Sequence, residues 1–290
     1  MFAIYALLIC IGFIYLYPLL HIISTSFMTL EDLLDSSITW IPSTFNINNY
    51  LDAAGSMSFW DSLWKSVLIA GVPTLCNLLS CSIIGYGIAR FNFPGKKIIL
   101  GIIIVSWVLP SQVTMIPTYQ LYNDMGILGT IWTFIFPALL GQGLNAPIFI
   151  LIFWNFFNQT PKVLIEAAQI DGAGYLKSFF RISVPSAAPA YITVSLFSFV
   201  WYWNEAYLTN MYVHGVLSKS SWTTLVIQLQ NFTTDFSNNY AQTANSHVAS
   251  INEAINMSGT MLSILPLLVM YLFLQRYFVE SIDRAGITGE

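Results

Sequence analysis

Hydrophobic residues in this chain come in blocks of roughly 20, the length an α-helix needs to cross about 30 Å of hydrocarbon. That spacing decides the class of fold. The alternating segments of about ten residues that would mark a membrane barrel are absent. Of the 290 residues, 56% are hydrophobic and 8% are charged, which is too little polar surface to cover a water-soluble globule. The expected fold is therefore all-α: a polytopic membrane protein, one transmembrane domain over residues 1–290.

Hydropathy places six transmembrane helices at about 2–24, 63–89, 98–119, 131–156, 187–208 and 259–278. The first of these lacks the basic start and small-residue cleavage site of a signal peptide, so it is read as a retained span. Arg90, Lys96, Lys97, Lys162, Lys177, Arg181, Arg276 and Arg284, eight of the ten basic residues, fall on one side. The positive-inside rule makes that side cytoplasmic and puts both termini there. Lys65 and Lys219 fall on the opposite side, together with Glu31, Asp32, Asp35, Asp52, Asp61, Asp124, Asp235 and Glu253.

Two external connections are long, at residues 25–61 and 209–257, and the second is crowded with Asn, Gln, Ser and Thr. Such composition suits a solvated loop, or a surface that receives an external protein and shields a substrate path. Pro73, Pro110, Pro117, Pro137, Pro147 and Pro266 lie in or at the ends of spans, where each removes a backbone donor and favours a kink. Kinked helices can line a cavity, although proline is also common in membrane helices at large.

Several chemistries are excluded. Scattered basic residues and a net charge of -4 leave no footprint for nucleic acid. Cys10, Cys76 and Cys81 sit within apolar runs, and His21, His214 and His247 lack metal-ligand spacing, so neither a disulfide framework nor a metal site is expected. The pair Gly95-Lys96 has Arg90 where a phosphate-binding loop needs glycine, so nucleotide must bind on another chain. No catalytic constellation is found, and the chain is not read as an enzyme.

The segment from Glu166 to Pro185, EAAQIDGAGYLKSFFRISVP, is a polar island between apolar blocks. Thr160-Pro161 predicts a helix start, with the hydroxyl capping free N–H groups and proline opening the first turn. Leu164, Ala167 and Ala168 would form a narrow apolar face, with Lys162 and Glu166 on the opposite flank. Gly172 and Gly174 would interrupt the helix through a left-handed turn, a second helix would run from Tyr175 to Arg181, and Pro185 would end the segment. Helices this short are marginal in water, so the segment needs either a partner surface or the lipid headgroups to rest on.

Glu166, Ala167, Ala168, Gly172, Ile182 and Pro185 match the spacing of the EAA loop of binding-protein-dependent ABC importer permeases, with Val184 where leucine is usual. The likeness covers nearly the whole chain and resembles the MalG-like carbohydrate-transport branch. It is carried further by Arg90-Phe91-Asn92-Phe93-Pro94-Gly95-Lys96, Ile116-Pro117-Thr118-Tyr119, Asp171-Gly172-Ala173, Trp203-Asn204-Glu205 and Gln275-Arg276-Tyr277-Phe278. The chain departs from the branch in its non-basic start and in a longer connection before the last span.

The resemblance implies half of a translocation pathway in a bacterial plasma membrane. A second homologous permease would complete it, an ATPase dimer carrying ATP and Mg would sit beneath, and an extracellular solute-binding protein would deliver a carbohydrate. It makes residues 160–185 a cytoplasmic coupling loop, with Glu166, Ala167, Ala168, Asp171, Gly172 and Pro185 as its ATPase-coupling residues. This chain itself would bind no cofactor.

For a substrate path, Trp201, Trp203 and Asn204 stand near the end of the fifth span, with Glu205 as an acceptor for sugar hydroxyls. The tryptophans also suit an interfacial belt, whereas an ionisable group at membrane depth is costly and usually functional. Two other functions remain open from the residues: a secondary transporter driven by an ion gradient, and an ABC permease for a non-sugar solute. The first would want ionisable groups in several spans, yet from Ile98 to Pro161 the sole charged residue is Asp124.

Overall fold

The computed structural model describes residues 2–214, 222–241 and 252–286; Lys219, His247 and parts of the 209–257 connection lie outside these. The described residues are helical, with no strand among them. Helices α1 (Phe2–Ser26), α2 (Leu30–Leu34), α3 (Asn48–Ser56) and α4 (Phe59–Arg90) come first. They are followed by α5 (Lys96–Val108), α6 (Ser111–Asp124), α7 (Trp132–Leu139), α8 (Ala146–Gln159) and α9 (Lys162–Ile170). A turn α10 (Tyr175–Ser178), a π-helical turn Phe179–Ser183 and a turn α11 (Val184–Ser186) lead into α12 (Ala188–Asn204). Then come α13 (Ala206–Thr209), a second π-helical turn Asn210–His214, α14 (Leu225–Ala241) and α15 (Glu253–Gly286).

Ile4–Ser26, Phe59–Arg90 and Glu253–Phe273 are each long and apolar enough to cross a membrane, and taking three bent helix pairs as broken spans raises the number to six. The expected third span, 98–119, is two helices meeting at 99°. Pro110 is the reason: its ring forces Leu109 into extended backbone (ψ 124°), so α5 stops there. Pro73, Pro117, Pro137 and Pro266 instead lie inside helices that continue past them. The expected fourth span, 131–156, is interrupted between Leu139 and Ala146. The 25–61 connection carries α2 and α3, and the 209–257 connection carries α14, so neither is a bare loop.

The chain divides into two compact units, residues 1–64 with 223–269 and residues 65–222 with 270–290. In the first, α1 is apolar all round and exposed along its span, as suits a helix solvated by lipid. Its C-terminal end is tied down by polar contacts: the Asn49 amide donates to the Ser26 and Met28 carbonyls at 3.0 and 2.9 Å, and the Ser258 hydroxyl donates to Ser26 at 3.0 Å. Around them Met28, Met57, Leu225, Ile227, Phe232 and Ile255 are buried. In α2 a capping box joins Thr29 and Asp32, and hydrogen bonds from Ser43 and Thr29 hold the Asp32 carboxyl below its ordinary range against desolvation.

The second unit contains the larger aromatic core. Phe149, Phe153 and Phe157 repeat at four-residue spacing down one face of α8 and are fully buried with Cys81, Ala190 and Val194 around them. Gly85 lets α4 approach α8 closely, since a Cβ there would stand 2.7 Å from Phe153 Cβ and 2.9 Å from the Trp154 nitrogen.

Candidate functional site

Residues 160–186 leave α8 and return to α12 as a compact excursion. The chain turns by 73° between α8 and α9 and by 77° entering α12. Thr160 precedes a proline and is extended (ψ 126°), which ends α8. Its hydroxyl does not cap α9 as the sequence predicts. It donates back to the Phe156 carbonyl at 3.3 Å, while α9 begins after Pro161 with no side-chain cap.

The far end of α9 is a Schellman motif. Gly172 has φ +80°, its N–H donates to the Gln169 carbonyl at 3.0 Å, and the Ala173 N–H donates to the Ala168 carbonyl at 2.8 Å. Open space surrounds Gly172, so backbone conformation and not crowding calls for glycine. Gly174 has ordinary extended backbone (φ -68°) and leads into α10. The second helical stretch is an α turn passing into a π-helical turn at Phe179–Ser183, not one regular helix to Arg181.

Ile165 is the side chain by which α9 packs on its own chain, with Ala168 half-buried beside it. Leu164, expected on the packed face, is 51% exposed, and Ile170 and Leu176 are 86% and 76% exposed. Glu166, Ala167, Asp171, Gly172, Lys177, Arg181 and Pro185 are exposed as well. The loop therefore shows an outward surface of aliphatic side chains edged with both signs of charge, a surface of the kind that is covered when a protein partner binds.

A side-chain hydrogen bond joins the loop to α4: Arg90 Nη2 donates to the Thr160 carbonyl at 3.0 Å. Beside it, the Phe91 and Tyr175 rings lie 5.3 Å apart, and Tyr86 packs on Phe179 at 4.9 Å and on Phe157 at 5.4 Å. At the base, the Thr160 and Ser186 hydroxyls are 3.5 Å apart.

The four substrate-path residues are not gathered on one surface. Trp201 is half-buried against Phe149, with ring centroids 5.3 Å apart. Trp203 is buried, stacks on Phe199 at 5.7 Å, and its indole N–H has no partner among the described residues. Asn204 is exposed, and half-buried Glu205 caps α13 by accepting from the Leu208 N–H at 2.9 Å. Burial, then the Glu205 charge, pushes the Tyr212 phenol above its ordinary range.

The interruption between α7 and α8 exposes a feature that hydropathy conceals. Gly141 (φ +72°) and Asn145 (φ +55°) adopt left-handed backbone, and side chains from α4 and α12 satisfy the freed groups. The Tyr202 hydroxyl accepts from the Leu144 N–H at 2.9 Å, the Asn77 amide donates to the Leu144 carbonyl at 3.4 Å, and Ser80 donates to the Ala138 carbonyl at 2.5 Å. Asn77 also donates to Ser198 at 3.3 Å, and Thr74 donates to the same hydroxyl at 3.2 Å. An amide at position 77 within an apolar block was the available signal for this cluster. Among the described residues, no group of three or more His, Cys, Asp or Glu side chains could hold a metal ion.

The chain is thus a multi-pass helical protein with a packed aromatic core and an exposed helical excursion between α8 and α12. Residues 82–284 match the family described as binding-protein-dependent transport system inner membrane component, and the chain belongs to that family. It is a permease subunit without enzymatic activity of its own, and the ion-gradient alternative is set aside.

Among its relatives, the arabinooligosaccharides transport system permease protein AraQ of Halalkalibacterium halodurans is 28% identical over 96% of this chain and 93% of that protein. The osmoprotective compounds uptake permease protein GgtD of Synechocystis sp. is 29% identical over 97% of this chain and 90% of its own length. The fold is shared with a solved bacterial ABC transporter involved in import of the acidic polysaccharide alginate, with a TM-score of 0.81 at 20% identity over 96% of this chain and 95% of that one.

Proposed function

We propose that this chain is the permease subunit of an ATP-driven, binding-protein-dependent carbohydrate importer and supplies half of its translocation pathway. It crosses a bacterial plasma membrane six times with both termini in the cytoplasm. A second homologous permease completes the pathway, an ATPase dimer holding ATP and Mg drives it, and an extracellular solute-binding protein feeds it. Residues 160–185 form the coupling loop.

The observation that carries this reading is the loop itself: α9 is capped by Gly172 and presents Leu164 and Ile170 outward, beside exposed Glu166 and Asp171. A nine-residue helix with that surface is too short to be stable alone, so a docked ATPase gives it a reason to be ordered. The ATPase need only favour one of two arrangements of the spans. Glu166, Ala167, Ala168, Asp171, Gly172 and Pro185 form the contact or its turn. Near the end of the fifth span, Asn204 and Glu205 are the residues best disposed to meet a passing sugar, with Trp201 and Trp203 behind them.

A carbohydrate cargo is supported by the names of the arabinooligosaccharide permease and the alginate importer. The relative named for osmoprotective compounds supports a second reading, a smaller compatible solute. The test is to purify the tagged chain from native membranes, identify stoichiometric partners by mass spectrometry, and titrate the recovered binding protein with sugars and with compatible solutes. A second permease and an ATPase are expected, with a sugar as the tighter ligand; the chain recovered alone would defeat the proposal.

A further inference from the structure

Arg90 stands where α4 ends, and its guanidinium caps the wrong helix for a mere C-terminal charge. It reaches 70 residues along the chain to the Thr160 carbonyl at 3.0 Å, the acceptor left over where α8 stops before Pro161. Among the described residues this is its hydrogen bond; its Nε is buried without a partner. The adjoining turn of α4 grips the other limb of the loop, Phe91 against Tyr175 and Tyr86 against Phe179. The two limbs are drawn together where the Thr160 and Ser186 hydroxyls lie 3.5 Å apart.

This arrangement makes a mechanical distinction. Spans containing α8 and α12 are joined to the loop by the chain itself, so they follow any displacement of it. Helix α4 has no such connection: it packs along α8 through the aromatic core and bonds to α12 about four turns away through Thr74 and Asn77, and at the loop itself its polar tie is Arg90. Hydrophobic burial is non-directional and tolerates small sliding, whereas a charged donor on a carbonyl sets a position.

We infer that Arg90 is the positioning residue that locks the docking loop to the second span, so that nucleotide-driven movement of the loop is carried to α4. The inference rests on the coupling-loop reading above. In it Arg90 touches neither ATPase nor solute; it acts through Thr160.

The test uses the whole complex from native membranes, in a Cys10→Ser background that keeps the buried Cys76 and Cys81, with one exposed cysteine added by Ala167→Cys in the loop or by Asn92→Cys just beyond α4. Maleimide labelling rates are compared without nucleotide and after trapping with Mg-ATP and vanadate. With Arg90 intact, trapping changes the rate at both positions. With Arg90→Met, the change at position 167 persists, while that at position 92, about fivefold or more, is lost. Arg90→Lys restores it, because an ammonium can donate to the same carbonyl.

A response at position 92 that survives Arg90→Met, or that is absent with Arg90 intact, overturns the inference. So does a parallel loss of complex recovery and of both responses in Arg90→Met, which would make Arg90 a structural residue only. If position 167 fails to respond with Arg90 intact, the coupling-loop reading falls and the role of Arg90 falls with it.

Discussion

The break between α7 and α8 and the loop from Thr160 to Ser186 both interrupt helices near the same aromatic core, yet they are built by different means. In the loop, local chemistry does most of the work: proline ends α8, Gly172 closes α9, and apart from the Thr160 carbonyl, which receives Arg90, the turn groups at the end of α9 are satisfied within a few residues. In the break, local bonds such as those of the Gly141 and Gln142 N–H groups leave others to distant side chains. The Leu144 N–H depends on Tyr202 and the Ala138 carbonyl receives Ser80, residues 58 positions away in each case. The difference follows from solvent. An exposed turn can use water for any group it leaves unpaired, whereas a buried interruption at membrane depth must find every partner inside the protein.

The comparison predicts that damage to the buried break appears as lost stability and damage to the exposed loop as lost function. Gly143→Val should have the largest effect, because a Cβ there would stand 2.7 Å from the Tyr202 hydroxyl and 2.9 Å from Ala138 Cα. Overpacking of this kind costs about 1–3 kcal/mol and often more where backbone must move. The expected result is little folded protein by detergent size-exclusion, and a normal monodisperse peak would show that the segment yields easily.

Tyr202→Phe comes next. Deleting the hydroxyl strands the half-buried Leu144 N–H, a loss of about 1–3 kcal/mol, read as a lowered melting temperature in detergent with the complex still assembled. A temperature equal to the parent's would mean that another group takes the N–H.

Gly172→Asp should be milder for the fold, about 1–2 kcal/mol, since its cost is left-handed backbone with no neighbour in the way. Uptake should nevertheless vanish with membrane levels unchanged; normal transport would remove the docking role. Glu166→Lys, fully on the surface, should shift stability by no more than about 0.5 kcal/mol while reducing the ATPase recovered with the chain. If Glu166→Lys instead reduced the folded yield, the contrast between the two regions would fail.

Parts of this contrast can be read without a structure. The helix start after Thr160-Pro161 and the left-handed turn at Gly172 fall where the residue types predict, because prolines and left-handed glycines act over a few residues. The Thr160 hydroxyl leaves α9 uncapped because it bonds back to the Phe156 carbonyl four residues earlier in α8, a local competitor for the cap, with Ser186 3.5 Å away. Helix α14 was hidden by the Asn, Gln, Ser and Thr around it, although Leu225, Leu229 and Phe232 carry a usable helical spacing. The division of labour among Trp201, Trp203, Asn204 and Glu205 could not be seen at all, since neighbours on a helix face different ways and only packing says which side is core.

The sequence by itself determined a helical membrane protein, the family to which it belongs, and the turn chemistry of its exposed loop, because hydropathy blocks, glycine and proline act locally. The tertiary structure decided where the fourth apolar block breaks, which polar side chains satisfy that break, and that Arg90 meets Thr160. Those pairings join residues 58 to 70 positions apart, and such partners are chosen by the packing of helices in three dimensions, on which the pattern along one helix is silent.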